Sequence, residues 1–156
     1  MALKPDRYEA RTDISFYYNA GIAERGGILC YGPTTGSGAS MDQGVNLVQY
    51  EAADEDSVPV GILLNDVVNK NLVREHLNVY RDEVQLGGKV TVLRGGYVVT
   101  NMIDDVTVAG GEVAYASSVN AGNLSNSGDA SNAVGEFMTA KDEDGYAKVE
   151  INLPRN

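Results

Sequence analysis

The stretch from Val134 to Leu153 restricts the fold more than any other part of the chain. Its second arm places Ala147, Val149, Ile151 and Leu153 in strict alternation with Tyr146, Lys148, Glu150 and Asn152. A period of two gives one dry and one wet face, the pattern of a half-buried strand. Between the arms, Asp142 to Gly145 supply turn chemistry: carboxylates that bond nearby backbone N–H groups, then a glycine free to take positive φ. Pro154 stops the arm, because it has no N–H to give to a ladder. The segment predicts a β-hairpin and a chain that is β-structured to its last residues.

Further strands are predicted at 13–20, 28–31, 45–50, 58–64 and 110–117, where short apolar or alternating runs occur. Pro59 puts the start of the fourth at an edge or a bulge. Eighteen glycines against four prolines suit short strands joined by tight turns. The run 89–103 predicts a second hairpin around a two-residue turn, Gly95-Gly96, pairing Arg94 with Tyr97, Val92 with Val99 and Val90 with Asn101. Val90, Val92 and Val99 would then share one face, and Leu93 and Val98 the other. Two polar stretches rich in Gly and Ser, 33–44 and 118–132, predict long loops. Residues 1–11 are polar, contain Pro5 and predict an extended arm, ordered only where it docks. Segment 65–86 partly fits a helical period, but its Asn and β-branched residues weaken a helix. It is read as a crossing segment with room for one short helix.

The chain has 156 residues, which predicts a single β domain, 12–156, behind the arm 1–11. An internal echo complicates that reading. Gly27-Ile28-Leu29-Cys30-Tyr31-Gly32 is answered by Gly111-Glu112-Val113-Ala114-Tyr115-Ala116. Each is followed by a polar loop and then by a strand opening Val-Gly, at Val60-Gly61 and Val134-Gly135. Two interpretations stay open: a chance likeness, or two similar β units, about 12–64 and 87–156, joined by the crossing segment 65–86.

The chemistry available is thin. A formal charge of −10, with no basic stripe, argues against a nucleic-acid face. Cys30 is the single cysteine and sits in an apolar run, so it reads as a small buried hydrophobe and leaves no intrachain disulfide or cysteine zinc site. The N-terminus lacks the apolar core of a signal peptide, and no stretch reaches the roughly 18 apolar residues of a membrane helix. His76, the one histidine, has no nucleophile elbow near it and reads as structural or solvated. The acidic groups Asp54-Glu55-Asp56, Asp104-Asp105 and Asp142-Glu143-Asp144 fall at expected turns without EF-hand spacing. No enzyme, no cofactor and no metal site is predicted. The nine tyrosines read mainly as strand residues, with Tyr17 and Tyr18 as candidates for a subunit interface, where amphipathic rings are favoured.

Four segments in order, 64–69, 86–103, 109–117 and 134–154, resemble the small head decoration, or capsid cement, proteins of tailed bacteriophages. The resemblance rests on a Gly-Gly-Lys-Val strand at Gly87 to Val90 and a strand ending Thr-Asn at Tyr97 to Asn101. It continues with Gly111 to Tyr115, Val134 to Phe137, and the Asp142 to Val149 hairpin. It covers about the last 90 residues, while residues 1–60 match only in general character. It implies an all-β fold, a β-barrel or β-tulip-like domain with long polar loops. It also implies a structural protein, made in the host cytoplasm, that sits on the outer capsid surface of the virion and stabilises the shell. The implied partners are the major capsid protein and other copies of the chain, as a trimer or a dimer, with no nucleic acid and no membrane. On this reading Lys4, Pro5, Arg7, Tyr8 and Arg11 of the arm are contact candidates, ordered only on the shell. Thr34, Thr35 and Met41 of the first loop, Asn123 and Leu124 of the second, and Tyr17 and Tyr18 complete the set. Two other functions compete: a fibre or carbohydrate-binding β module of a virion, and a hydrolase built on the acidic groups.

Overall fold

The structure, a computed structural model, describes residues 2–32, 46–66, 83–104 and 107–154. The protein is all-β. Its strands are β1 (Tyr8–Tyr18), β2 (Ala23–Glu24), β3 (Ile28–Tyr31), β4 (Leu47–Gln49), β5 (Pro59–Asp66) and β6 (Glu83–Val84). They continue with β7 (Lys89–Thr100), β8 (Val113–Ala116), β9 (Leu124–Ser125), β10 (Ala133–Phe137) and β11 (Ala147–Asn152). Among the described residues the helical content is one 3₁₀ turn at Ala130–Asn132. The first polar loop and most of the crossing segment, with its expected short helix, lie outside the described residues.

Nine strands form one sheet in the order β1-β4-β3-β5-β7-β11-β10-β8-β9, and β1 pairs with β7 as well. The extra pairing closes β1, β4, β3, β5 and β7 into a ring, a small barrel with no open edge between those neighbours. One edge of β7 carries β1, from Tyr17↔Lys89 to Tyr8↔Tyr97. Its other edge changes neighbour part-way: β5 pairs from Val90 to Leu93, and β11 from Gly95 to Thr100. Just past β7, Ile103 bridges Leu124 of β9 in parallel, which brings the far end of the sheet back to the strand it started from. The two halves follow the same order. β3 lies between β4 and β5, and β8 between β9 and β10, all antiparallel. The parallel contact of β1 with β4 has its counterpart in that of Ile103 with Leu124.

The interior divides into two clusters, the second of which also takes Ile28 of β3 and Ile62 and Leu64 of β5. Phe16, Tyr18, Leu29, Val48, Val60, Leu63 and Val92 form one cluster, and Leu93, Val98, Leu124, Phe137, Val149 and Ile151 belong to the other. Val92 and Leu93 are adjacent and fully buried, and alternation along β7 sends one side chain to each cluster. The C-terminal hairpin forms as its alternation requires: Ala147, Val149 and Ile151 are buried, and Gly135↔Ile151 and Phe137↔Val149 are register partners. At its turn the Asp142 carboxylate accepts from the N–H groups of Asp144 and Tyr146, and Gly145 takes φ 83°.

Three expectations need correction. Gly95-Gly96 is not a turn, because β7 runs straight through it. The glycines are there because β1 crosses at close range: a Cβ on Gly96 would strike the Tyr8 carbonyl oxygen, and one on Gly95 would lie 2.7 Å from Arg11 Nε. β1 is irregular at the same place, with register shifts between Glu9 and Arg11 and between Arg11 and Thr12. Val99 consequently stays half-buried and does not join Val90 and Val92.

The N-terminal arm is not separate from the fold. Residues 8–11 open β1. Leu3 bridges Thr100 and is buried in the second cluster, Lys4 N–H donates to the Val99 carbonyl, and Asn101 N–H donates to the Ala2 carbonyl. The second polar loop is also built in. It contains β9 and the 3₁₀ turn, and the buried Asn132 donates its amide to the Asp54 carbonyl at 2.8 Å.

Candidate functional site

The groups that carry chemistry most often are spent on structure here. Burial pushes the Cys30 thiol up to about 12, helped by the carboxylates of Glu51 and Asp54, so it stays protonated at neutral pH and is no nucleophile. His76 and Asp105 lie outside the described residues. Asp104 accepts from Ser117 Oγ, and from Asn120 Nδ2 and Asn123 Nδ2 at 2.7 Å each. Burial alone would raise its pKa, but these donors together outweigh it and hold the carboxyl below its ordinary range. Asp54 accepts from Ser57 Oγ and the Asp56 N–H, closing its own turn. Among the described residues no three His, Cys, Asp or Glu side chains are placed to hold a metal ion.

The surface is more informative. Register carries one row of residues across five strands: Val113 of β8, Glu136 of β10, Glu150 of β11, Tyr97 of β7 and Tyr8 of β1. At the β1 end this wall is aromatic and cationic. The Tyr8 and Tyr97 ring centroids are 6.1 Å apart, and Lys148 Nζ stands 3.7 Å above the Tyr97 ring. Lys4 Nζ lies 4.1 Å from the Tyr146 ring centre and 3.0 Å from Asp142 Oδ2. Each such exposed contact is worth little alone, about 0.5–1 kcal/mol for a cation–π pair.

Of the expected contact residues, Lys4 and Tyr8 stand on this wall, and Lys4, Pro5, Arg7, Tyr8 and Arg11 are all at least partly exposed. Arg7 pairs with Glu9, and Arg11 donates to Asn152 Oδ1 at 3.1 Å. Tyr17 is half-buried with Lys89 Nζ 5.7 Å from its ring centre. Tyr18 and Leu124 are corrected: both are buried in the cores, at 2% and 0% exposure, and offer no surface to a partner. Asn123 is held by Asp104 and is part of the loop's internal network. Thr34, Thr35 and Met41 lie outside the described residues. Tyr97, Tyr146 and Lys148 were not singled out, although the wet face of the C-terminal hairpin already marked the last two as outward-facing.

Residues 9–152 match the family described as structural cement protein (E217 gp24/Pam3 gp6). The chain belongs to this phage cement family. The match takes in both halves of the sheet, from the second residue of β1 to the end of β11, and so reaches well beyond the C-terminal segments that carry the resemblance. The cement protein is thereby a structural component at the capsid surface of a phage virion. No curated protein matches the chain.

Proposed function

We propose that this cement protein binds the outside of its phage head, takes the major capsid protein as partner, and stabilises the shell by bridging neighbouring capsid subunits. The family match over residues 9–152 carries the proposal. The build of the molecule supports it. A clamp must pass load without yielding, and here two packed cores share one continuous strand. The N-terminal strand is already sewn along β7, so binding does not have to order it, which saves roughly 1–2 kcal/mol of backbone entropy per residue. Pro5, Arg7, Tyr8 and Tyr17 then act as contacts along a preformed strand and the segment that leads into it. A symmetric oligomer, a trimer or a dimer, would join several capsid subunits at once and turn weak contacts into durable ones through effective concentration.

Co-sedimentation of the purified chain with expanded, genome-free heads tests the proposal. The expected result is saturable binding at a fixed number of copies per shell and a rise in the temperature at which the heads come apart. Heads that neither bind the chain nor gain heat resistance would overturn it.

A further inference from the structure

Three depressions run together along one side of the protein. The central cavity, 480 Å³, is lined by apolar groups, among them Val58, Pro59, Val113, Leu153 and Pro154. It shares Val58 with a neighbouring hollow of 510 Å³ whose lining includes Glu51, Asp54 and Asp56. It shares Val113 with a third, of 210 Å³, whose lining includes Glu136, Glu150 and Asn152. No lysine or arginine stands among the described residues lining any of the three.

Two details set this channel apart from ordinary surface. Val58 and Val113 are 55% and 36% exposed, apolar groups left in water at the middle of an acidic strip. Glu136 and Glu150 face each other directly across β10 and β11, and among the described residues neither has an ion pair or a side-chain hydrogen bond. Like charges directly opposite in a sheet destabilise it, a cost that one cationic neighbour would remove. Carboxylates at both ends and apolar groups between them define the complement. It is an extended peptide, apolar in its middle, with Lys or Arg on either side. The cations of the N-terminal strand and the C-terminal hairpin of a second copy are poorly placed to fill it, because they already have neighbours. Lys4 is engaged by Asp142, Arg7 by Glu9, Arg11 by Asn152, and Lys148 lies on Tyr97.

We infer that the channel running past Val58 and Val113 receives an extended, cationic and apolar segment of the major capsid protein. The inference rests on the cement reading and names the surface and the chemistry through which it acts. The acidic ends steer and orient the segment, and the central cavity anchors its apolar side chain.

The test uses the full chain and expanded heads of the phage that encodes it. Two variants alter the channel, Val58→Asp and the pair Glu136→Lys with Glu150→Lys. A third, Glu143→Lys in the exposed hairpin turn, reverses one negative charge elsewhere. Both channel variants are expected to bind heads about tenfold more weakly or worse, the Val58→Asp change by wetting the apolar anchor site and the lysine pair by repulsion, and the pair with a flatter salt dependence, while Glu143→Lys binds like the parent. A photo-crosslinking residue at position 58 is expected to capture the major capsid protein, and this readout stands even where a charge variant folds poorly. Crosslinking to a second copy of the chain would overturn the inference, as would folded channel variants that bind heads at parental strength. In both cases the cement reading survives, because the parent chain still binds. A parent chain that fails to bind heads defeats the cement reading and the inference with it.

Discussion

Gly96 and Gly135 lie where neighbouring backbone passes closer than a side chain permits. A Cβ on Gly96 would meet the Tyr8 carbonyl oxygen, and one on Gly135 the Glu150 carbonyl oxygen. Gly145 is a different case: like Gly96 it takes a positive φ, 83°, but nothing lies within 4 Å of its Cβ position. Gly96→Ala and Gly135→Ala are expected to cost about 2–3 kcal/mol each, since backbone must move, and Gly145→Ala about 1 kcal/mol from strain at its own φ alone. Urea melts of the three variants measure this, and equal losses would refute the distinction. The distinction leaves no mark in the sequence. Adjacent glycines look the same in a sequence whether they serve a tight turn or a close strand crossing, because both require only a missing Cβ.

Asp104 argues a pH dependence at the same scale. Its folded pKa is lowered, so the stability it contributes is present above the ordinary carboxylate value of about 4 and is lost as pH falls through the lower folded value. Asp13, bonded by Ser15, and Asp142, bonded by the Tyr146 N–H and by Lys4, are shifted the same way and add to the loss in acid. Asp104→Asn is expected to melt below the parent at pH 7, with the gap closing as pH drops below about 4. A gap that widened in acid would reverse the sign and refute the account.

At the scale of elements, the C-terminal hairpin could be read from sequence because burial and pairing coincide there: the residues facing the core alternate with those facing water. β1 could not be read in the same way. Its residues 8–12 are exposed on both faces and are held to β7 through backbone pairing, which hydropathy does not report. The segment therefore looked like a loose arm. The signal missed was Leu3, an apolar residue just ahead of the polar run 4–7, which plugs the second core. Leu3→Ala is expected to lower stability by about 2–4 kcal/mol, the usual cost of emptying a buried leucine site. A free arm would give a change within about 0.5 kcal/mol, as for surface substitutions. Thermal melts of the variant decide between the two. Leu124 was misplaced for the opposite reason. It stands in a Gly-, Ser- and Asn-rich stretch whose composition says loop, yet it pairs with β8 and bridges Ile103.

For the whole molecule, the motifs of the second half carried the family resemblance, and the match over residues 9–152 extends it to the first half. The closure of the first ring could not be read, because β1 meets β4 and β7 across long stretches of chain and pairing at that distance leaves no local mark. That closure has a mechanical consequence. β7 is a wall of both rings, so neither core can open without disturbing a strand the other needs. The protein is expected to unfold in one transition, with calorimetric and van't Hoff enthalpies equal. Val92→Ala and Leu93→Ala probe this from adjacent positions, since their side chains lie in different cores. Each is expected to cost about 2–4 kcal/mol and to move the entire endotherm downward together. A variant that split the endotherm, or shifted only part of it, would mean that the two rings melt independently. A body that melts piecemeal would let one half detach from a shell while the other held. A single cooperative unit keeps every contact it makes with its neighbours until the whole protein unfolds, which is the behaviour a cement requires.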